Sequence, residues 1–542
     1  MNQFARASLL QFVEAVAERG SVRTGGWNAG MPQNFIESRR EQGFLLPPDV
    51  REWLPADHLS WFVIDAVADI NLDAFYAAYR ADGHGRAAYE PSLMVALILY
   101  AFATGVRSSR AIECHCRQDV AYRVITANLV PDHATIARFI CRHEGALAAL
   151  FSDVLKLCAK AGLVRPGVVS IDGTRIAGNA SPEVNYEFEQ LAREILAEVT
   201  ATDAAEDEEF GAARGDELPE QLRSAEGRRE FFRRAREQEG PEPVTEPEPQ
   251  VAAEVPLELD EGELVGHGRQ GRDAWLREGK RQLERHRWEH PDPISRSREE
   301  RLLLAAERLE SDLAVERRAN DAYEHYRATA RDRLGRRPGG RTAPHRPPQL
   351  PAGKVNVTDP DSRPIPIGFG FVQGYNAQAA VNEQQIVLAA EITNVSTDFS
   401  QLDPMVTATL GELERAGIDQ LPEAVAADAG YWNEQQMDEV VANKHIPVLV
   451  APDKGTRGTP KRWLTSGRAT WMRSVLATEH GQQRYRKRKQ TVEPLFGNTK
   501  HNSGFYRFRR RGRVKVRLEW RLVMLAHNLT KLHRHRLAAV GA

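Results

Sequence analysis

Val168-Val169-Ser170-Ile171-Asp172-Gly173-Thr174 is a short, apolar, β-branched run that ends on a carboxylate and a glycine. A run of this length, closed by a turn residue, predicts a fully buried central strand. An unpartnered buried carboxylate is costly, so Asp172 at the strand end implies a use. Taken alone, an Asx turn accounts for it as well. The pattern then recurs. Glu423-Ala424-Val425-Ala426-Ala427-Asp428-Ala429-Gly430-Tyr431-Trp432 is again an apolar run, an Asp, a small residue and a glycine. If the two strands are neighbours, their carboxylates lie a few ångström apart and repel unless a divalent cation bridges them.

A third acid belongs on a helix laid beside the sheet. Glu493 stands in a strongly cationic stretch, with Arg486, Lys487, Arg488 and Lys489 before it and Lys500 after it. A surface salt bridge is the plainer account of Glu493. A site that holds metal and handles DNA phosphate needs this same juxtaposition, acids for the ion and cations for the strand. Pro494, inside the same helical stretch, is expected to bend it.

Between and around these points the chain alternates character. Residues 1–43 carry little pattern and read as an extension. Residues 44–165 read as helical. Ser92–Thr104 is a dense apolar helix too short to span a membrane. Asp132 is placed as the N-cap of a helix carrying Arg138, Arg142 and His143. This helical region fits a helix-turn-helix that reads DNA or an ordinary bundle. Residues 183–351 interrupt the strand pattern: first an acidic part with Pro-Glu-rich 241–249, too polar to pack and partly disordered, then one or two long charged helices over 272–335. Strand signals resume at Gly368. Residues 369–381 and 385–392 form an antiparallel hairpin around Asn382-Glu383, followed by a helix over 401–416, the Asp428 strand, a helix and a strand at 446–450. The helix 514–532 closes the core. The catalytic domain is thus 166–182 plus 352–535, a mixed α/β sheet.

The chain has 542 residues and a formal charge of −2. That balance conceals an asymmetry: residues 183–264 hold 25 acids against 8 Lys and Arg, and residues 453–542 hold 23 Lys and Arg against 4 acids. A basic region interleaved with Tyr485, Phe496, Phe505, Tyr506, Phe508 and Trp520 is a folded nucleic-acid contact rather than a tail. The apolar fraction of 42% is ample for a core. No long apolar run or secretory leader is present in the stretch from Met1 to Gly20, so a cytoplasmic, nucleoid-associated protein with no membrane partner is expected. Cys114, Cys116, Cys141 and Cys158 are too few for a disulfide scaffold. Cys114-His115-Cys116 lacks the usual zinc-site spacing, and buried free thiols are expected instead.

Longer motifs make the sequence recognisable: 45–59 (LLPPDVREWLPADHL), 89–113, 131–139 (PDHATIARF), 170–181 (SIDGTRIAGNAS), 356–363 (NVTDPDSR), 370–381 (GFVQGYNAQAAV), 427–432 (ADAGYW) and 492–512. In this order they resemble the DDE transposases of bacterial insertion sequences, the group with an InsH-like N-terminal domain. The resemblance runs from about Leu45 to Leu532. It implies an RNase H-like core with a mixed five-stranded sheet and an Asp, Asp, Glu triad, which falls on Asp172, Asp428 and Glu493. Two Mg²⁺ ions, with Mn²⁺ as a substitute, would be held by those three. The partners implied are double-stranded DNA with terminal inverted repeats and a target DNA, bound by at least a dimer. The family signature around the Glu has a Tyr and an Arg before it and a Lys after it. Lys500 fits. Lys489 stands where the Arg is expected, and Tyr485 is displaced by one. Lys489 and Lys500, assisted by Arg486 and Arg488, are expected on DNA phosphates. Trp432 would stack on an unpaired base or pack in the core. The function implied is metal-dependent cleavage at transposon ends with strand transfer. An inactive DNA-binding relic and a nuclease of the same fold are the alternatives.

Overall fold

The computed structural model describes residues 49–79, 87–210, 259–266, 271–291, 297–331, 335, 337, 346–368, 370–452 and 467–540. The expected extension 1–43 and the Pro-Glu-rich stretch 241–249 lie outside them. The chain divides into two compact units, Met1–Glu52 and Trp53–Ala542. The described part of the first carries a 3-10 turn at Val50–Glu52. All that follows concerns the second.

Its described residues begin with the helices α1 (Leu59–Ala68), α2 (Asp73–Tyr76), α3 (Pro91–Ala103), α4 (Ser109–Gln118), α5 (Val120–Ile125), α6 (His133–Arg142) and α7 (Glu144–Lys160). Pro91 opens α3, where its missing N–H costs nothing. The helix is buried almost all round, as its unbroken apolar sequence requires. Asp132 caps α6 as expected, accepting from the Thr135 amide at 2.9 Å. All four cysteines are free; Cys116 and Cys158 are buried, but Cys114 and Cys141 are exposed. The expectation of buried thiols therefore holds for two of them; the other two fall on the outer faces of α4 and α6.

β1 (Val168–Ala177) follows, then β2 (Asn185–Tyr186). The insertion contributes α8 (Phe188–Phe210), α9 (Glu261–Gly266), α10 (Arg272–Glu289) and α11 (Arg298–Thr329). The expected one or two long helices over 272–335 are two, α10 and α11, packed on each other around Trp275 and Tyr323. The return passes through β3 (Val355–Asn356), which pairs with β2 and closes the neck of the insertion. Then come β4 (Arg363–Ile367), β5 (Gly370–Val381), β6 (Val387–Thr393), α12 (Leu402–Arg415), β7 (Ala424–Ala427), α13 (Glu434–Lys444), β8 (Val448–Val450), α14 (Gly467–Ala477), α15 (Glu479–Gly497) and α16 (Arg513–Val540).

The sheet is mixed. β5 is antiparallel to β1, β1 is parallel to β7, and β7 is parallel to β8. β4 and β6 both pair with β5, β4 along Gly370–Gly374 and β6 along Asn376–Val381. Among the described residues the sheet therefore holds six strands, not the expected five. The additional one is β4, whose Arg-Pro-Ile-Pro-Ile sequence hides it, because proline at alternate positions reads as non-strand yet is tolerated at a sheet edge.

The helical region and the sheet share one hydrophobic core. Helix α16 joins them, packed against α3 and α7 and also against β6. Its Asn528 side chain accepts from the Val387 amide and donates to the Val387 carbonyl, both at 2.8 Å, and so pairs the free backbone of an edge strand. The TDPDSR motif ties the insertion to this helix. Asp359 accepts from the Tyr375 hydroxyl at 2.8 Å and from the Gly512 amide at 3.1 Å. Asp361 accepts from Arg308 of α11 and from the Arg513 amide, each at 2.7 Å.

Gly374 lies where β5 and β1 close up: a Cβ there would overlap the Ile176 carbonyl oxygen and crowd the Gly178 nitrogen. The obstacle is backbone and cannot rotate away. Gly374→Ala is expected to cost about 3 kcal/mol or more, measured as a lowered urea midpoint or loss of soluble protein.

Candidate active site

Ile171 pairs with Ala427 in the parallel register of β1 and β7. The next residue along each chain is the carboxylate, so Asp172 and Asp428 lie side by side in the middle of the sheet; β7 stops before Asp428, but β1 does not end at Asp172 as expected and runs on to Ala177, paired with β5. The two aspartates are held differently. Asp172 has a side chain 19% exposed and accepts from the Gly173 amide at 2.8 Å. Asp428 caps a 3-10 turn, Ala429–Tyr431, accepting from the Gly430 amide at 2.7 Å. The turn-residue and site readings of an Asp at a strand end are thus compatible here. Burial, and next the negative charge of Asp428, push the Asp172 carboxyl up to about 7; Arg488 opposes this and Asp398 adds to it.

Asp398 is a carboxylate that the sequence reading passed over. It follows β6 in a polar loop with no local signal. Its Oδ1 accepts from Asn376 Nδ2 and Gln378 Nε2, each at 2.8 Å. Asn376 and Gln378 alternate along β5 and therefore share one face of the sheet. Gln378 Oε1 in turn accepts from the buried hydroxyl of Tyr431, so this amide is fixed at both ends. Gly173 allows the approach: a Cβ there would overlap Gln378 and lie 2.8 Å from Asp398. The glycine after the Asp is thus set by close packing beneath the site.

Glu493 lies on α15, which packs against β1 and β7. Thr491 donates to Ser170 of β1 at 2.8 Å, and Lys487 pairs with Glu383 at 2.8 Å. Pro494 sits inside this helix without breaking it. Its ring nitrogen cannot donate to the Gln490 carbonyl, and the Gln385 side chain does so instead, at 2.9 Å. A wide π-turn, Asn498–Asn502, follows.

The glutamate does not point at the two aspartates as a closed set. Its side chain is 55% exposed and meets Arg488 at 3.9 Å. Among the described residues no group of three or more His, Cys, Asp or Glu side chains is disposed to hold an ion. Arg488 fills the gap. It is 9% exposed and reaches Asp172 at 3.3 Å. Arg486 and Lys489 face outward and are exposed. Lys500, on the π-turn, donates to the Arg175 carbonyl at 3.3 Å, and burial followed by the Arg175 charge lowers its pKa. Trp432 is 7% exposed and lies in the core, the packing alternative for this residue.

The donor set itself suits a hard cation. Two carboxylates at neighbouring positions of adjacent chains, one of them pushed to about 7, are short of positive charge. Oxygen-only donors favour Mg²⁺ or Mn²⁺ over softer metals.

Residues 453–533 match the family model described as a transposase DDE domain, which takes in Glu493, Lys500 and most of α16. Residues 48–142 match a second model, a transposase domain (DUF772), which spans α1 to α6. Both matches are to transposase models, and together they indicate a DDE transposase of an insertion element. No curated protein and no solved structure matches it. The mixed sheet and flanking helices of this transposase fit an RNase H-like core. The DDE-domain match leaves β1 and β7 outside it, so Asp172 and Asp428 rest on the geometry above. DNA is the substrate class of a transposase, and DDE transposases in general use divalent metal. No helix among the described residues of the transposase is long and apolar enough to cross a membrane.

Proposed function

We propose that this transposase cleaves DNA at the ends of its element and joins the freed ends to target DNA, with Asp172, Asp428 and Glu493 as the carboxylates of the site. The observation that carries the reading is the parallel pairing of β1 and β7, which sets Asp172 and Asp428 side by side beneath a cationic helix. Two divalent ions held there would activate water or a DNA 3′-hydroxyl and take up charge on the leaving oxygen. The protein's part is to fix the two aspartates on a rigid sheet and to hold the strand. Arg486 and Lys489 are placed for phosphate contacts, with Lys500 beside β1. The helices of 44–165 would bind the terminal repeats. Residues 166–182 with 352–535 form the catalytic domain, and 183–351 an insertion. Synapsis of two ends requires at least a dimer on DNA.

The test uses purified transposase, Mg²⁺ and a plasmid carrying the element's terminal repeats. Nicks are expected at the ends, and Asp428→Ala is expected to reduce nicking by at least about a thousandfold. Full nicking by Asp428→Ala would remove Asp428 from the site. Cleavage that never joins ends to a target plasmid favours a nuclease of the same fold. End binding without cleavage by the wild type favours an inactive relic.

A further inference from the structure

Arg488 is out of place for a DNA contact. On the inner face of α15, Tyr485, Arg488, Val492 and Leu495 form an i, i+3, i+7, i+10 stripe, with Thr491 beside it against Ser170. Three of these are aromatic or aliphatic, and the position between them carries a guanidinium. It is 9% exposed, whereas Arg486 and Lys489 beside it are exposed. Burying a charge is costly unless it is paired, and the pairing is with the site itself: Nη1 to Asp172 at 3.3 Å and Nη2 to Glu493 at 3.9 Å. The Tyr485 ring lies 5.9 Å from the guanidinium carbon. Its Nε has no hydrogen-bond partner. A buried donor left unmatched needs an explanation. Here the group is held for its charge rather than for a complete set of hydrogen bonds.

We infer that Arg488 is the resident counter-cation of the metal site, bridging Asp172 and Glu493 in the ion-free protein and giving up Asp172 when a divalent ion binds. The inference rests on the reading of Asp172 as a metal ligand. Its basis is that one oxygen, Asp172 Oδ2, faces the guanidinium, while Asp428 and Asp398 press further negative charge on the same spot. Arg488 meets two carboxylates, those of Asp172 and Glu493. It also separates Glu493 from Asp172, which accounts for the absence of a closed three-carboxylate set among the described residues. Arg488 is then a positioning residue. It keeps the acids together without metal, weakens metal binding by competition, and once displaced is a free cation one residue from Lys489. Coupling of metal loading to phosphate contact follows without any new element.

The test is Mn²⁺ binding to the full-length, DNA-free protein by calorimetry. Arg488→Met keeps the length of the side chain and removes its charge. An opposite charge at this distance shifts the affinity of a carboxylate for a proton by a factor of about ten or more, and a similar factor is expected for a metal ion. Arg488→Met should bind Mn²⁺ about tenfold more tightly than wild type. Arg488→Lys, which keeps the charge, should stay near wild type. Unchanged or weaker Mn²⁺ binding by Arg488→Met overturns the inference. If that variant does not fold, arginine-detected carbon NMR of the wild type decides. One guanidinium signal, the one missing from Arg488→Lys, should shift on adding Mg²⁺, and a spectrum without such a shift overturns the inference. The two levels separate cleanly. Mn²⁺ binding that is lost in Asp428→Ala but indifferent to residue 488 keeps the site and discards the counter-cation. A wild type that binds no Mn²⁺ discards both.

Discussion

Asp172→Asn is expected to abolish cleavage while making the metal-free protein more stable at pH 8. The two effects have one cause. Asp172 is buried beside Asp428, and burial together with that neighbour raises its pKa from 3.8 to about 7. A carboxyl whose folded pKa lies above its unfolded one binds its proton more tightly when folded. Its contribution is therefore fully present below about pH 4 and is lost as pH rises through about 7. At pH 8 in EDTA the wild type carries the whole cost of that buried charge, and asparagine carries none. The raised pKa corresponds to a gain of the order of 2–4 kcal/mol for the variant. The expected readout is a melting temperature several degrees above wild type at pH 8, with the gap closing near pH 4. Saturating Mn²⁺ should reverse the order, because only the wild type retains both aspartates. Activity should fall at least about a thousandfold, the scale of losing a charged ligand at a metal-assisted phosphoryl transfer. A variant that is less stable than wild type in EDTA at pH 8 would mean that Asp172 is satisfied by Arg488 and not strained by Asp428.

The elements nearest the site were the most legible ones. The first four residues of β1, Val168–Ile171, and all of β7 are buried and paired in parallel, so both read as short, mostly apolar runs that need no periodicity. Asp428 follows the last residue of β7, whereas β1 runs on past Asp172 to Ala177 with β5 as its partner. The β5–β6 hairpin and the helix expected over 401–416 were equally plain, whereas the stretch 272–335 was read as one or two helices without the division between Glu289 and Arg298. What escaped did so for physical reasons. β4 has prolines at alternate positions, a pattern possible only at an edge. β2 and β3 are two residues each, too short to carry any period. Asp398 sits in a polar loop where an aspartate is unremarkable, and only the return of the chain brings it under Gly173 and Gly430.

The burial of Arg488 is a different case. Its neighbours are all cations, so composition assigns the group as a whole to DNA phosphate. Helical phase separates them: residues 485, 488, 492 and 495 fall on the inner face, and 486 and 489 do not. The signal was present in the sequence, but it lay in the period and not in the charge. The motif at 356–363 shows the converse. Its two aspartates look like further ligands, yet both are consumed in joining α11, β5 and α16. An acid in a family motif marks a necessary position without saying whether that position does chemistry or holds the fold.

The other large effect lies far from the metal site, at Glu412→Ala, expected to cost about 3–5 kcal/mol. Glu412 is on α12 and is 1% exposed. It accepts from Ser152 of α7 at 2.6 Å, from Arg521 of α16 at 2.7 Å and from Arg415 at 2.6 Å. One carboxylate thus joins the helical region, a helix of the sheet and the last helix. Burial alone would raise its pKa, but the Arg521 charge and the Ser152 hydrogen bond outweigh this and hold it below the usual value. Its stabilisation is therefore present above about pH 4.5 and is lost as pH falls through the depressed value. Alanine leaves Arg521, itself 5% exposed, with Glu391 at 3.5 Å as its remaining carboxylate. The cost is that of a buried cation losing its main partner, and Arg521→Met in the same chain should recover much of it, because the uncompensated charge goes with the side chain. Urea unfolding of the two single variants and the double variant measures this directly. If the helical region and the sheet unfold as one body, as a shared core implies, Glu412→Ala shifts a single transition. Two separated transitions, with only one moved, would show that the N-terminal helices form an independently stable domain and that Glu412 joins two bodies.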